Sequence, residues 1–175
     1  HKRGGDIVSN KLWVTLSLGK GEKALSVDVK YQNKAKYHLT KAVINTGIDN
    51  TESYASSVFD IIKRDTKDTI REIRTNMGEP VNGFVYKKQD KTGMAIFTKG
   101  LYDYENENNK LIKLSILRSM DRISDYNTGR EWNTLENVMF GTYNTSFAIM
   151  PFGDDEALIP AMEQNINSQP VYHFD

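Results

Sequence analysis

The sequence of 175 residues contains no cysteine, no long apolar run and no excess of charge of either sign. The absence of cysteine excludes disulfide bonds, thiol nucleophiles and cysteine-ligated zinc sites. Basic and acidic side chains number 23 each, which disfavours a nucleic acid as partner, because such binding depends on neutralising phosphates. No apolar run approaches the ~18 residues that predict a membrane span, and no signal-peptide pattern opens the chain. We therefore expect neither nucleic-acid nor membrane binding.

The charges balance overall but are unevenly distributed along the chain. Residues 1–41 carry nine basic and three acidic side chains, whereas residues 151–175 carry five acidic and no basic ones. Opposite charges attract, and each exposed ion pair contributes about 0–1 kcal/mol. The pattern therefore predicts that the two ends of the chain approach each other.

Local catalytic and metal-binding motifs are also missing. The three histidines, His1, His38 and His173, are too far apart in sequence to form a local metal motif. His38 is expected to be a solvated or hydrogen-bonded strand residue. No Gly-x-Ser-x-Gly segment supports a serine nucleophile. We name no catalytic residue and no metal ligand in this chain.

The residues that are present indicate β-structure. Apolar and polar residues alternate through residues 11–18 and 25–31, which is typical of half-buried strands. Gly19-Lys20-Gly21-Glu22 between them predicts a hairpin rather than a phosphate-binding loop, because it opens no helix. Further strands are predicted at residues 36–46, 57–63, 81–88, 93–98, 110–118 and 138–151. This succession predicts an all-β, antiparallel β-sandwich that spans residues 1–175 as a single domain.

Two stretches depart from the strand pattern. Residues 155–167 place apolar side chains at helical spacing after three acidic residues, which predicts one short C-terminal helix. Residues 61–76 mix isoleucines with many charges and are interpreted as a polar excursion between strands, with a short surface helix as the alternative.

Two groups of residues are candidates for binding a sugar. Tyr102 and Tyr104 fall on one predicted strand face, where aromatic rings either stack on a sugar or line the edge of a core. A second group follows the apolar strand at 110–118 and combines guanidinium with carboxylate groups: Arg118, Asp121, Arg122, Asp125 and Arg130. Such a loop either holds sugar hydroxyls or is a solvated set of ion pairs.

Several collinear blocks resemble the C-terminal β-sandwich region of glycoside hydrolase family 38, the α-mannosidase family. Residues 29–39 resemble the family's strand that ends in an Asn-Arg-Ala-Lys-Asp-His-Arg-like corner. Residues 53–64 are similar to its Ser-x-Ala-x-Ser-Pro-Phe-Asp-Val-Val-x-Arg segment. The remaining blocks resemble its Gly-Leu-Tyr-Glu-Tyr strand end, its Leu-Leu-Arg-Ser strand, its Thr-Pro-Glu turn and its Tyr-Ala-Leu-x-Pro-His-x-Gly-Asp strand, at residues 100–104, 114–119, 134–137 and 147–154.

The resemblance implies a supersandwich-like fragment of a larger, retaining α-mannosidase. The catalytic α/β barrel, which holds zinc and the aspartate nucleophile, lies N-terminal to this region in the family. The resemblance therefore implies three partners or cofactors outside the chain: its own barrel, a zinc ion in that barrel and a mannose-containing oligosaccharide. It also implies that the loop at 118–130 lies near the substrate, while the fragment alone is catalytically inactive.

Two other functions remain open at this point. One is a stand-alone carbohydrate-binding module that uses the tyrosines and the arginine-bearing loop. The other is a purely structural sandwich that completes the core of the enzyme. The chain could also form oligomers, and the lack of cysteine leads us to expect a cytoplasmic location.

Overall fold

The computed structural model describes residues 7–65, 78–124, 128–133 and 137–167. Within these ranges the chain forms thirteen strands and one helix. The strands are β1 (Lys11–Ser17), β2 (Leu25–Asn33), β3 (His38–Asn45), β4 (Glu52–Ser56), β5 (Ile61–Asp65), β6 (Glu79–Pro80), β7 (Phe84–Gln89), β8 (Thr92–Phe97), β9 (Asp103–Glu107), β10 (Leu111–Ser119), β11 (Arg122–Ser124), β12 (Glu131–Asn133) and β13 (Gly141–Phe152). The helix is α1 (Leu158–Asn167).

The strands form two large antiparallel sheets and one small one. The first sheet has the order β1-β2-β13-β8-β7-β4-β5, and the second has the order β3-β10-β9-β6. Strands β11 and β12 form a separate hairpin. Buried side chains from both large sheets join in one core cluster that includes Val29, Ile96, Phe147, Tyr104, Ile112 and Leu114. The predicted all-β sandwich is therefore confirmed.

Helix α1 covers part of the outer face of the seven-stranded sheet. Ile159 is fully buried against a second apolar cluster, and Met162 and Ile166 pack at its edge. Strands β7 and β8 consequently have a layer on each face, which explains why consecutive residues such as Ile96 and Phe97 are both buried. The helix lies within the predicted range 155–167 and begins at Leu158. No helix among the described residues is long and apolar enough to cross a bilayer.

The predicted first hairpin is confirmed. Strands β1 and β2 pair antiparallel from Lys11 opposite Gln32 to Ser17 opposite Ser26. In the connection, the Glu22 amide donates to the Gly19 carbonyl at 3.1 Å, and Gly21 has a positive φ of 84°. The alternating apolar residues of β1, however, are exposed along the whole strand.

The strand predicted at residues 57–63 is wrong. Strand β4 ends at Ser56 and β5 begins at Ile61, and a turn connects them. The Ser57 amide donates to the Asp60 carbonyl at 2.7 Å, which closes this turn. The apolar residues Val58 and Phe59 lie at its exposed tip, so their side chains do not belong to a strand face. Residues 61–65 of the predicted excursion form β5, and residues 66–76 lie outside the described ranges.

The expected attraction between the two ends of the chain is not seen among the described residues. The acidic C-terminal segment forms ion pairs with the middle of the chain: Asp154 with Lys91 at 3.1 Å, and Glu156 with Lys88. Glu156 also accepts a hydrogen bond from the Tyr86 hydroxyl at 3.0 Å. The lysines of the β7–β8 hairpin lie next to this segment in the fold. They are therefore its ion-pair partners, in place of the predicted basic side chains of residues 1–41.

Candidate functional site

The corner between β2 and β3 is fixed by a buried asparagine. The Asn33 side-chain amide donates to the Ala35 carbonyl at 3.1 Å, and its oxygen accepts from the Ala35 amide at 3.0 Å. The same amide donates to the Met139 carbonyl, which ties the corner to the segment before β13. Because every polar atom of this buried side chain has a partner, the corner has one defined geometry.

Tyr37 extends from this corner towards the end of β10. Its backbone has a positive φ of 56°, a conformation that residues other than glycine rarely adopt. Its hydroxyl donates to Asp121 Oδ2 at 2.6 Å. A second link runs from Ser119 Oγ to the Ala35 carbonyl at 3.1 Å. The corner and the loop after β10 therefore form one connected unit.

Asp121 lies at the centre of this unit, and its residue is only 8% exposed. Oδ1 has no hydrogen-bond partner among the described residues, while Arg122 Nε lies 3.9 Å from it. Arg122 Nη1 also lies 3.5 Å from Glu131 Oε2, across the β11–β12 hairpin. The hydrogen bond to the Asp121 carboxylate, followed by burial, raises the pKa of Tyr37 above its ordinary value. The phenol therefore remains a donor at neutral pH.

The structure brings some of the predicted loop residues together. Asp121 and Arg122 are in contact, as described above. Arg118 is exposed near the end of β10, and Arg130 is exposed immediately before β12. Asp125 lies outside the described residues. Of these guanidinium groups, only that of Arg122 contacts the buried carboxylate among the described residues.

The two predicted tyrosines do not act as a pair. Tyr102 is 71% exposed and precedes β9, whereas Tyr104 is fully buried in the core. The Tyr104 hydroxyl lies 3.0 Å from Ser53 Oγ and accepts from Arg64 Nη1 at 3.2 Å. Of the two rings, only that of Tyr102 offers an exposed face for a sugar.

Sequence reasoning missed three residues of the unit: Asn33, Tyr37 and Glu131. Asn33 had a readable signal, because an asparagine at the end of an alternating strand predicts a side-chain-closed turn. Tyr37 and Glu131 had none, since their partners are distant in sequence or lie across a short hairpin. His38 lies on β3 with Nε2 3.4 Å from the Tyr31 hydroxyl, as expected for a hydrogen-bonded strand histidine.

The arrangement combines a buried, ion-paired carboxylate with an exposed guanidinium group. The Arg122 side chain is 59% exposed and lies 3.9 Å from Asp121 and 3.5 Å from Glu131, so its remaining N–H groups can donate to an external hydroxyl oxygen. In the part of the chain that the structure describes, no cluster of three or more His, Asp or Glu side chains could hold a metal ion.

Comparison with known proteins identifies relatives of the chain. The family model for the "Glycosyl hydrolases family 38 C-terminal domain" matches residues 7–139. A "Putative mannosylglycerate hydrolase" from Halalkalibacterium halodurans is 27% identical over 140 residues, which cover 80% of this chain and 15% of the relative.

Two solved structures from Enterococcus faecalis share the fold. An α-mannosidase has a TM-score of 0.85 at 18% identity, covering 95% of this chain and 18% of its own. A protein in glycosyl hydrolase family 38 has a TM-score of 0.81 at 19% identity, covering 95% and 19%. The chain thus spans less than a fifth of the length of these proteins. Since the family model covers most of the chain, the chain belongs to glycosyl hydrolase family 38 and corresponds to its C-terminal domain.

Proposed function

We propose that the parent enzyme hydrolyses α-mannosidic bonds with retention of configuration, and that this chain is its non-catalytic sandwich domain. The match of residues 7–139 to the family's C-terminal domain carries the proposal. The names of the relatives support the substrate class, since one is an α-mannosidase and another a putative mannosylglycerate hydrolase. The partner of the sandwich is then a catalytic barrel N-terminal to it in the same polypeptide.

Within that enzyme, the unit of Tyr37, Asp121, Arg122 and Glu131 borders the sugar cleft. The support is the Arg122 side chain, which is 59% exposed and lies between the carboxylates of Asp121 and Glu131. A guanidinium group held in place by two carboxylates keeps further N–H donors free for the oxygens of a sugar hydroxyl. The side chains of this unit bind and orient, while the two carboxylates required for glycoside cleavage belong to the barrel.

The proposed enzyme binds its zinc ion in the barrel and not in this chain. A metal ion there would hold sugar hydroxyls and polarise the substrate. The described residues of the sandwich would act without contacting it. Their contribution is the position of the rim, set by the Asn33 corner and the β11–β12 hairpin.

A glycerate-bearing mannoside is a second candidate substrate. The exposed guanidinium groups of Arg118 and Arg130 favour it, because arginine pairs with carboxylates through two parallel hydrogen bonds. A neutral mannobiose would not use this interaction. By contrast, the stand-alone sugar-binding module is less favoured, since Tyr104 is buried and cannot present its ring.

The test uses the full-length gene product. We expect cleavage of an aryl α-mannoside, loss of activity with a chelator and recovery with zinc. Cleavage of an aryl β-mannoside or α-glucoside in its place would contradict the proposed substrate class. Activity that is insensitive to the chelator would contradict the zinc. Comparison of mannosylglycerate with mannobiose then decides between the two substrates, because a preference for the former requires recognition of its carboxylate.

A further inference from the structure

Strand β1 presents an apolar row on the core-facing side of the seven-stranded sheet. Leu12, Val14 and Leu16 pair with Tyr31, Val29 and Val27 on β2, and opposite residues of paired strands point to the same face. The β2 residues are buried, Val29 to 5% exposure, whereas Val14 is 51% exposed. The row is thus a direct continuation of the domain core that nothing in the described structure covers.

The apolar row of β1 is exposed because the two sheets differ in width. Strand β3 lies above β2, since Thr40 Oγ1 donates to the Tyr31 hydroxyl at 3.4 Å. Strand β3 is also the edge of the four-stranded sheet, with β10 on its other side. The seven-stranded sheet therefore extends beyond the second sheet by one strand, β1. Among the described residues, the outer edge of β3 has no partner strand either.

The free edge of β3 and the exposed row of β1 meet at the same end of the sandwich. A strand added beside β3 would lie above β1, because the contacts Thr40–Tyr31 and Ser53–Tyr104 place β3 over β2 and β9 over β4, so the two sheets run in the same order. Such a strand would satisfy the backbone groups of β3 and bury the β1 row in one step. We infer that a further strand, from another segment of the same polypeptide, pairs with β3 and packs on Leu12, Val14 and Leu16.

A segment of the same polypeptide fits better than the other occupants. A second copy that pairs edge to edge with β1 would lengthen the sheet and leave the apolar row uncovered. A transient partner is less suitable, because its dissociation would expose a row that is continuous with the permanent core. The matched proteins, moreover, are about five times as long as this chain, which covers 15–19% of them. The inference thus rests on the proposed function in assuming a larger parent enzyme.

Thiol labelling of the full-length protein tests the inference, since this chain contributes no cysteine of its own. The variants are Val14→Cys and, as control, Lys91→Cys, whose side chain is 82% exposed. The label at each position is read by peptide mass spectrometry, in native buffer and in urea. We expect native labelling at Val14→Cys to be slower than at Lys91→Cys by about tenfold or more, with equal rates in urea.

Equal native rates for the two variants would overturn the inference. Protection of Val14→Cys that is lost on dilution, with sedimentation reporting a dimer-to-monomer change, would also overturn it in favour of a second copy. The same preparation is assayed on an aryl α-mannoside. Protection of Val14→Cys without mannosidase activity would refute the proposed function and support the covering strand. Mannosidase activity without protection would support the proposed function and refute the covering strand.

Discussion

The Tyr37 hydroxyl donates to Asp121 Oδ2 at 2.6 Å and so joins two segments that are 84 residues apart in sequence. The hydrogen bond connects the corner after β2 with the loop after β10. It is also the one hydrogen bond that the structure gives to the Asp121 carboxylate among the described residues. The position of this carboxylate therefore depends on a tyrosine held in a left-handed backbone conformation.

Removing the Tyr37 hydroxyl should destabilise the domain. Tyr37→Phe leaves the buried Asp121 carboxylate without its donor, and we expect a measurable loss in the free energy of unfolding. Urea titration measures it. The control is Tyr143→Phe, which removes a hydroxyl that donates to the Phe140 carbonyl at 2.9 Å in an exposed position. Equal losses for the two variants would contradict a special role for the Tyr37 contact.

The buried Lys87 should make the domain more stable as the pH rises above 8. Its side chain is fully buried, donates to the Asn50 carbonyl and to Asn106 Oδ1 at 2.8 Å, and burial lowers its pKa to about 8. The unfolded chain keeps the ordinary value of 10.5, so between pH 8 and 10.5 it binds more protons than the folded chain. Stability should therefore rise with pH in this window, by at most about 1.4 kcal/mol per pH unit.

The matched variant for Lys87 is Lys87→Met, which keeps the length of the side chain and removes the titrating group. The unfolding free energy of the wild type minus that of the variant should increase from pH 8 to pH 10. A difference that stays constant over this range would show that Lys87 titrates equally in both states.

The side chain of Ile159 should stabilise the packing of helix α1 on the seven-stranded sheet. It is fully buried between the helix and the seven-stranded sheet. Ile159→Ala creates a cavity, and we expect a cost of about 2–5 kcal/mol in thermal or urea unfolding. Phe59→Ala is the control, because Phe59 is 98% exposed and its loss should change stability by less than about 0.5 kcal/mol. A large effect at Phe59 in this chain would indicate a contact that the fold does not contain.

Periodicity predicted the strands that have a clear apolar pattern, and it missed short or polar strands such as β6 and β12. The β1–β2 hairpin, β8, β10 and β13 all alternate or form apolar runs bounded by turn residues. The failure at residues 57–63 has a physical cause: the turn between β4 and β5 has Val58 and Phe59 at its centre, and these apolar residues concealed the turn signals of Ser57 and Asp60. Phe59 resembles a core residue in sequence and lies at an exposed tip.

The candidate site was predictable only in part. A loop after a buried strand is a favoured place for function, and this rule selected Asp121 and Arg122. The rule does not say which residue of a strand faces the core, so Tyr102 and Tyr104 were treated alike although one is exposed and the other buried. The Tyr37 contact depends on the pairing of β3 with β10, which places His38 opposite Ser119, and local patterns do not encode which distant strands pair.

The arginines of the loop provide the last test, because they separate a rim that binds substrate from a purely structural sandwich. In the full-length enzyme, Arg122→Ala removes the guanidinium between Asp121 and Glu131 and should lower kcat/KM for an α-mannoside by roughly 10–100-fold. Arg118→Ala and Arg130→Ala should act mainly on a substrate that carries a carboxylate. Lys91→Ala, on the exposed β7–β8 turn, is the matched control for loss of one surface cation. Unchanged kinetics in all three arginine variants, with unfolding curves like that of the wild type, would favour the structural function, since a rim that contacts substrate cannot lose these groups without cost.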